Sequence, residues 1–471
     1  MADRFDVIIL GAGPAGEVAV NTLLRAGRRV ALVEPELIGG ECTNWGCIPS
    51  KTLLRPTELK GGSARAAGVP VPELDFGPLA RYRDYMVSNH DDTGKVTRYE
   101  ERGVTVIKAP GRLVGSQRVE AGGRTLEAES IIVATGAEPV IPPLPGLAEA
   151  GYWTNREATA LNEIPTSAVF IGGGVVAVEL SQFLARFGCR VTIVGPDLAG
   201  REDPRIGELL KAALEEDGIE FRLGRKGQEV RVEGGERVVV LDDGTDVRGE
   251  VVVVAVGRRP RTRDLGLETA GIEPGPRGIP IDERCRARYC VWAVGDVTGV
   301  AMFTHVGKYQ ARIACADILG YDTKADYRAV PRVIFTDPEV ASVGLTEAAA
   351  RAEGIDVVTS TVELPTSIAR PYTYEQEQEP RGTFGIVADR ERDVLVGAWA
   401  FAPLAGEWIH QAVLAIRAEV PLGVLKDTIA QFPSYSEAFG SALRALPDER
   451  IAVARDHCAH PMIQEPEAAM A

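Results

Sequence analysis

The first residues of the chain alternate between apolar runs and short polar or glycine-rich turns. Residues 5–10 are apolar except for Asp6, G-A-G-P-A-G follows at residues 11–16, and a helix-compatible stretch continues to Arg25. Residues 29–33 fit a second strand, apolar after Arg29. The pattern therefore predicts a strand, a helix and a second strand, the β-α-β unit of a parallel sheet covered by helices.

Three glycines and one acid give this unit a candidate chemistry. Gly11 permits a tight turn, Gly13 allows backbone N–H groups to approach a pyrophosphate, and Gly16 allows the helix to pack on the strand. Glu34 follows the second strand, 23 residues after Gly11. This is close to the spacing of about 20 residues at which a carboxylate holds an adenosine ribose. The glycines alone also fit a structural turn, but together with the strand, the helix and Glu34 they predict a dinucleotide site.

The same pattern recurs in the middle of the chain. An apolar run at residues 168–171 precedes G-G-G-V-V-A, and residues 191–194 supply the next strand. The three motif positions are taken by Gly172, Gly174 and Ala177. Two dinucleotide folds are therefore predicted.

The end of that next strand distinguishes the second fold from the first. Gly195 stands where a carboxylate would bind a ribose 2′-hydroxyl, and Arg201 lies a few residues further on. An arginine in this region accommodates the 2′-phosphate of NADP, so NADPH is favoured over NADH. The alternative is that Arg201 only faces solvent and that Asp197 reaches a ribose.

Composition agrees with a folded protein of several domains and narrows its partners. The chain has 471 residues, which suggests about three domains. Its 52 Lys and Arg against 67 Asp and Glu give a net charge of −15, which argues against nucleic acid or an anionic membrane as a partner. No apolar run approaches the roughly 18 residues of a membrane span, and the start is unlike a signal peptide. We therefore expect a cytoplasmic protein.

Seven cysteines are too few for a disulfide scaffold in a chain of this length, so a close pair suggests catalysis or metal binding. Cys42 and Cys47 form that pair. Five residues of helix rise about 7.5 Å, whereas a disulfide needs Cα atoms roughly 4.4–6.8 Å apart, so an irregular backbone is predicted. Pro49 suits a helix's first turn, which would place Cys47 near a helix N-terminus and lower its pKa. The other cysteines are expected to be buried structural thiols: Cys189, Cys285, Cys290, Cys315 and Cys458.

Around the pair the sequence resembles a known family. The stretch G-G-E-C-T-N-W-G-C-I-P-S-K at residues 39–51 is similar to the redox signature of the class I pyridine nucleotide-disulfide oxidoreductases, such as dihydrolipoamide dehydrogenase, glutathione reductase and mercuric reductase. The resemblance continues in I-I-V-A-T-G-A, V-V-V-A-V-G-R-R-P, V-W-A-V-G-D and F-T-D-P-E-V-A-S-V-G, which end at Ala137, Pro260, Asp296 and Gly344. It therefore covers almost the whole chain.

The resemblance implies an α/β fold with two Rossmann-type dinucleotide-binding domains and a C-terminal α+β dimerisation domain. The FAD-binding domain would comprise residues 1–150 and 281–327, and the NAD(P)-binding domain residues 151–280. Residues 328–450 would form the dimerisation domain, and residues 451–471 a tail. A homodimer is expected, in which the dimerisation domain of one subunit closes the active site of the other.

The resemblance also implies a role for each matching residue. Glu34 would bind the FAD adenosine ribose, and Asp296 the ribityl chain. Lys51 would lie near flavin N5 and pair with Glu179 of the nicotinamide domain, unless the two form only a surface ion pair. Besides the two glycine loops and Arg201, further cofactor contacts are expected from Thr135, Gly136, Ala137, Gly257 and Thr304.

Different roles are implied for the two paired cysteines. Cys47 would lie against the flavin as the charge-transfer thiolate, and Cys42 would be the interchange thiol that meets substrate. Hydride chemistry delivers two electrons to a flavin and a disulfide accepts two, so the pair suits a relay from NAD(P)H to a small acceptor. The alternative is an inert disulfide.

The C-terminal part departs from the family pattern at one position. Disulfide-exchanging members carry His-Pro followed by Glu, whereas F-P-S-Y-S-E here places Phe432 before Pro433 and keeps Glu437. A phenyl ring cannot exchange a proton with a thiol, and such acid–base help is worth roughly 10²–10⁴-fold. We therefore expect an acceptor other than an ordinary disulfide. The Phe432–Pro433 bond is expected to be cis, as in relatives.

Other activities stay open beside the relay. The protein could be a diaphorase or quinone reductase whose flavin reduces the acceptor directly, an enzyme like dihydrolipoamide dehydrogenase or mercuric reductase, or a flavin-bound subunit of a larger assembly. No metal site is predicted, although Cys458 lies between His457 and His460. Tyr435 is a candidate hydroxyl in place of the missing base, and His90 has no assignment.

Overall fold

The protein is described by a computed structural model at residues 3–376 and 381–447. Two compact units divide the chain, Met1–Val340 and Ala341–Ala471. Among the described residues, no helix has the length and apolar character needed to cross a bilayer. The predicted tail at residues 451–471, with Cys458, lies outside the described residues.

The first 150 residues build a sheet around the N-terminal strand. Val7 and Ile9 enter the core on one face of this sheet. Ile8 and Leu10 enter the core on the opposite face, because successive side chains of a strand point to opposite sides. In chain order the elements are β1 (Asp3–Leu10), α1 (Pro14–Arg25), β2 (Val30–Val33), α2 (Gly40–Asn44), α3 (Cys47–Arg65), α4 (Phe76–Met86), α5 (Thr93–Glu101), β3 (Thr105–Ile107), β4 (Gly111–Leu113), β5 (Arg118–Ala121), β6 (Arg124–Val133), β7 (Ala137–Pro139) and α6 (Leu147–Ala150).

A second sheet follows, whose strands are nearly all apolar. In chain order the elements are α7 (Asn155–Ala160), β8 (Ser167–Ile171), α8 (Val175–Arg186), β9 (Arg190–Gly195), α9 (Pro204–Glu216), β10 (Glu220–Leu223), β11 (Gly227–Glu233), β12 (Glu236–Leu241), β13 (Asp246–Gly249), β14 (Val251–Val254) and β15 (Arg258–Pro260). Four parallel strands stand in the order β10-β9-β8-β14, and β11-β12-β13 form a separate antiparallel sheet. The predicted strands at residues 168–171 and 191–194 are confirmed within β8 and β9.

The chain passes between the two sheets at a short ribbon, in which β7 pairs antiparallel with β15. After β15 the elements are β16 (Arg286–Arg288), β17 (Val291–Ala293), α10 (Thr304–Ile318) and β18 (Pro331–Ile334). Of these, β16 and β17 complete the first sheet, whose strand order is β16-β17-β6-β1-β2-β3. Strand β5 also pairs with β6, and β4 pairs with β5. In both sheets the first strand lies between the second and a later parallel strand, as in Rossmann folds. The predicted α/β class with two such sheets is confirmed, and the domain boundaries stay predictions.

The second unit is built on antiparallel strands with helices around them. In chain order the elements are β19 (Glu339–Gly344), α11 (Glu347–Ala352), β20 (Val357–Glu363), α12 (Leu364–Ser367), α13 (Arg370–Tyr374), β21 (Thr383–Asp389), β22 (Val394–Ala402), α14 (Ala405–Trp408), α15 (His410–Arg417), α16 (Leu422–Lys426) and α17 (Glu437–Ala445). The central strands β21 and β22 are buried along their whole length. This arrangement is the predicted α+β type.

Three of the scattered cysteines are buried, as predicted. Cys189, Cys285 and Cys315 are at most 5% exposed, and burial raises the pKa of each thiol to about 12. These thiols are therefore protonated and unreactive at neutral pH. Cys290 is only partly buried, so the prediction of a buried thiol is wrong for that residue.

Candidate active site

The carboxyl ends of the parallel strands in the first sheet open into a cavity of about 560 Å³. Such an edge is where open α/β sheets bind ligands. Nine predicted site residues line the cavity: Gly11, Gly13, Glu34, Cys42, Thr135, Gly136, Ala137, Asp296 and Thr304. The structure therefore brings together residues that are up to about 290 positions apart in the sequence.

The first glycine loop has the geometry that its motif predicts. Gly11 has φ +105°, and a Cβ on it would lie 2.3 Å from the Ala134 carbonyl oxygen. A Cβ on Gly16 would lie 2.0 Å from the Gly11 carbonyl oxygen, so α1 packs closely on β1. Gly13 caps α1 and faces open space, because nothing lies within 4 Å of its Cβ position. The N-terminus of this helix is thus free to receive an anionic group.

Glu34 is held in place by its own turn. Its Oε2 accepts the Ala12 N–H at 2.7 Å, and its Oε1 accepts the Glu36 N–H at 2.8 Å. Burial raises the pKa of Glu34, and these two hydrogen bonds oppose the rise. Each carboxylate oxygen keeps a second lone pair, so a ribose diol can add to the two backbone donors.

Four arginines that sequence reasoning did not assign also line the cavity: Arg258, Arg259, Arg261 and Arg263. Arg258 donates to the Ala137 carbonyl oxygen at 2.8 Å, and its charge opposes the burial that raises the pKa of Asp296. The signal was present in the sequence, because R-R-P-R-T-R follows Gly257 directly. Their charge, with the open helix N-terminus and Glu34, fits a dinucleotide carrying a diphosphate.

The two cysteines lie on separate helices joined by an irregular turn. Cys42 belongs to α2 and Cys47 is the first residue of α3. Between the helices Gly46 has φ −120° and ψ −112°, and its Cβ position lies 3.2 Å from the Cα of Cys42. Both predictions, an irregular backbone and a helix N-terminus at Cys47, are confirmed. Both cysteines are free thiols in this structure.

The surroundings favour a thiolate on Cys47. A hydrogen bond from the Cys42 thiol, another from Thr304 and the charge of Lys51 lower the pKa of Cys47 to about 6, against a cost of burial. The Cys47 Sγ lies 3.5 Å from the Thr304 Oγ1. The same hydrogen bond and burial raise the pKa of Cys42 far above its ordinary range. One proton is therefore shared unequally, and it resides on Cys42.

Lys51 and Glu179 form the predicted pair. The Lys51 Nζ lies 2.7 Å from Glu179 Oε2, and the Glu179 side chain is only 5% exposed, so the pair is not an ordinary surface one. Glu179 Oε1 also accepts the Phe335 N–H at 2.9 Å, and the Lys51 ammonium lies 4.7 Å from the centre of the Phe335 ring. Phe335 is a further contact of this lysine that the sequence did not indicate.

The second glycine loop repeats the geometry of the first. Gly172 has φ +114°, and a Cβ on it would lie 2.3 Å from the Ala255 carbonyl oxygen. Gly174 caps α8 with open space around its Cβ position, and Ala177 is fully buried under it. Gly257, with φ +125°, also faces open space. This loop can therefore take a second dinucleotide.

The residues that bear on the nucleotide type follow β9. Gly195 is the last residue of that strand, and its Cβ position is 3.0 Å from the Gly173 N. Arg201 is exposed in the turn before α9. The Asp197 carboxylate lies against this turn, because its Oδ1 is 2.3 Å from the Cβ position of Gly200.

In the second unit Phe432 is exposed and precedes Pro433 through the predicted cis bond. Glu437 begins α17 and accepts the Ser434 N–H at 2.9 Å, and this hydrogen bond stabilises the turn that follows Phe432. Tyr435 is only 5% exposed and stacks on Trp408 with ring centres 6.2 Å apart. The hypothesis that Tyr435 replaces the missing base is wrong, since its ring is part of a core.

Two family models match the chain. The pyridine nucleotide-disulphide oxidoreductase model covers residues 5–311, and the dimerisation domain of the same family covers residues 330–443. The chain belongs to the pyridine nucleotide-disulfide oxidoreductase family. Flavoprotein chemistry with FAD and a pyridine nucleotide is typical of this family, and its dimerisation domain fits a homodimer.

Relatives within the family are named for different activities. Mercuric reductase of Staphylococcus aureus is 31% identical over 458 residues, which are 94% of this chain and 82% of that protein. Dihydrolipoyl dehydrogenase of Thermus scotoductus is 34% identical over 464 residues, 95% of this chain and 98% of that protein. The family is therefore certain from sequence, whereas the acceptor is not named by it.

Solved structures of the family have the same fold. The Cu(II) complex of the HOCl-induced flavoprotein disulfide reductase RclA from Escherichia coli has a TM-score of 0.82 at 27% identity and covers 93% of this chain and 99% of its own. LpdA from Mycobacterium tuberculosis also has a TM-score of 0.82 at 27% identity, with 94% and 99% covered. Among the described residues of this chain, no group of three His, Cys, Asp or Glu side chains is arranged to hold a metal ion.

Proposed function

We propose that this protein takes electrons from NADPH and passes them through bound FAD and the Cys47–Cys42 pair to a small acceptor that is not an ordinary disulfide. The observation that carries the proposal is the cysteine pair itself. Cys47 begins a helix, receives the Cys42 hydrogen bond and has a pKa lowered to about 6. A relay needs one thiolate and one protonated partner at neutral pH, and these two residues supply them.

FAD, when bound, supplies two-electron exchange with the nicotinamide. We infer that Glu34 holds the adenosine ribose and that the open N-terminus of α1 and the cavity arginines receive the diphosphate. Asp296 would hold the ribityl chain, and Thr135, Gly136 and Ala137 would flank it. The Glu179 carboxylate fixes the Lys51 ammonium at 2.7 Å, which keeps a positive charge near Cys47.

NADPH is the proposed electron donor. No carboxylate occupies the end of β9, where Gly195 stands, and the Asp197 side chain lies against its own turn at Gly200. Arg201 is exposed close by and is available to a 2′-phosphate. This combination supports NADPH over NADH, because an NAD site uses an acid in that place.

The proposed acceptor needs no proton from a protein base. Phe432 is 75% exposed and carries no titratable group, and Glu437 uses its carboxylate on the Ser434 N–H. We propose that Phe432 of the partner subunit closes the Cys42 site with an apolar surface. Relatives named mercuric reductase and the Cu(II) complex of RclA make Hg(II) and Cu(II) the first acceptors to test.

A matrix of two donors and four acceptors tests this proposal. We expect kcat/KM to be roughly tenfold or more higher with NADPH than with NADH, because an arginine contact to a phosphate contributes about 1.5–3 kcal/mol. Hg(II) or Cu(II) should be reduced roughly 10²-fold or more faster than lipoamide or glutathione disulfide, since only the disulfides need the missing base. Rapid turnover of lipoamide by the unmodified enzyme would contradict the assignment of the acceptor.

A further inference from the structure

Trp45, one of the four residues between the two cysteines, has two side-chain partners at its indole ring. The Arg156 guanidinium carbon lies 4.0 Å from the centre of the ring. The His90 imidazole stacks on the same indole, with its centre 5.6 Å away and its plane tilted by only 17°. A cation and a second aromatic ring thus contact one indole, an arrangement that fixes its orientation.

The backbone of Trp45 is fixed as well. Its N–H donates to the Glu41 carbonyl oxygen at 2.8 Å. Its carbonyl oxygen accepts the Asn155 Nδ2–H at 2.9 Å and the Thr159 hydroxyl at 3.2 Å. Every polar group of this residue's backbone therefore has a partner, and two of the partners belong to α7, more than 100 residues away.

Arg156 also donates hydrogen bonds to Glu41, the residue that precedes Cys42. Its Nε donates to Glu41 Oε1 at 2.8 Å, and its Nη2 donates to Glu36 Oε2 at 2.8 Å. The second contact lowers the pKa of Glu36, so this carboxylate stays charged. One guanidinium thus connects Glu41, on one side of Cys42, with the Trp45 ring on the other.

His90 reaches the indole through an unusual stretch of backbone. Ser88, Asn89 and His90 have φ values of +54°, +50° and +55°, a left-handed conformation that is unfavourable for residues other than glycine. Burial and the charge of Arg83 lower the pKa of His90, while Asp84 opposes them, so the stacked ring is neutral at neutral pH. Three such residues in succession persist only where their surroundings hold them, and here they place His90 on Trp45.

We propose that Trp45, held by its contacts with Arg156 and His90, is a positioning residue that keeps Cys42 within bonding reach of Cys47. The inference rests on the proposed relay. Holding the two sulfurs together raises their effective concentration and favours the disulfide over the open dithiol. The clamp, defined as Trp45, Arg156 and His90, therefore makes the pair harder to reduce.

The test is the equilibrium of the pair with dithiothreitol. Two electrons pass from dithiothreitol, whose thiols close to a disulfide, to the Cys42–Cys47 bond, which opens to a thiol on Cys42 and a thiolate on Cys47. Of the two protons that dithiothreitol releases, Cys42 takes one and solvent the other. Acid quenching, alkylation and mass spectrometry of the peptide with both cysteines then give the fraction of open pair in the FAD-bound enzyme.

Trp45→Val removes both ring contacts and keeps the backbone hydrogen bonds. We expect this variant to shift the equilibrium about tenfold towards the dithiol, which corresponds to about 30 mV for a two-electron couple. Trp45→Phe keeps an aromatic ring in place and should restore most of the difference. Tyr85→Val is the matched control, because Tyr85 is 73% exposed and stacks on Tyr82 in α4. The equilibrium of this variant should therefore equal that of the unmodified enzyme.

The possible outcomes separate this inference from the relay. If Cys42 and Cys47 never form a disulfide in the unmodified enzyme, the proposed relay itself is wrong. A disulfide in the unmodified enzyme together with an equilibrium unchanged within twofold in Trp45→Val defeats only the role of Trp45. If Trp45→Val does not fold, His90→Ala and Arg156→Ala each remove one contact of the indole ring, and unchanged equilibria in both variants overturn the proposal equally.

Discussion

Replacement of Cys42 by serine is expected to lower acceptor reduction on the order of 10³-fold or more, while FAD remains bound. A serine hydroxyl is nearly isosteric with the thiol, but it cannot form the disulfide that accepts two electrons. The structure places Cys42 at the cavity wall and in hydrogen-bond contact with Cys47, so no other thiol among the described residues shares its position. The measurement is NADPH-dependent turnover of the best acceptor, with FAD content read from the visible spectrum.

Two further assays distinguish the thiol relay from direct reduction of the acceptor by flavin. Cys290→Ser is the matched control, because Cys290 is a partly buried thiol that does not line the cavity, and its activity should be unchanged. Quinone reduction by Cys42→Ser addresses the rival activity, in which flavin reduces the acceptor directly. Full turnover of the best acceptor by Cys42→Ser would show that the thiols are bystanders and would favour the diaphorase.

Introducing a base with Phe432→His is expected to raise lipoamide or glutathione disulfide reduction by roughly 10²–10⁴-fold over the low starting rate. Phe432 is exposed, so an imidazole fits at this position without entering a core. Glu437 already lies within the same turn, where it accepts the Ser434 N–H, and a carboxylate near an imidazole favours the protonated ring. The expected gain should follow a bell-shaped pH profile that the unmodified enzyme lacks.

Phe432→Leu separates the base from the loss of the ring. This variant also removes the aromatic surface, but it adds no titratable group, so it should gain no disulfide activity. If Phe432→His shows no gain although it binds FAD and dimerises, the missing imidazole is not what excludes disulfides. The proposal that Phe432 selects the acceptor would then be wrong.

Much of the fold could be predicted because it depends on local backbone rules. Gly11 and Gly172 adopt positive φ values and lie against the carbonyl of the residue just after a neighbouring strand, and only glycine satisfies both conditions. A glycine at such a place, after a short apolar strand, therefore marks the turn in the sequence itself. The predicted end of α1 at Arg25 agrees with the structure for the same reason, since the pattern of the helix is local.

The parts that escaped prediction depend on contacts between distant segments. The sequence shows that Trp45 lies between the cysteines, but its partners come from residue 90 and residue 156. Sequence distance alone makes Tyr435 a candidate for the missing base, yet its side chain is buried in the core of the second unit. The direction of a side chain depends on packing, which sequence spacing alone does not determine.

Anaerobic titration of the FAD-bound enzyme with NADPH tests the central claim most directly, because a Cys47 thiolate that lies against the flavin, as we propose, would give an absorbance band of its own. We expect a long-wavelength thiolate–flavin absorbance band to appear at neutral pH. The pKa of Cys47 is lowered to about 6, so the thiolate exists above that pH and the band should fade as the pH falls through about 6. A reduced enzyme with Cys47 intact that shows no such band at neutral pH would contradict the relay.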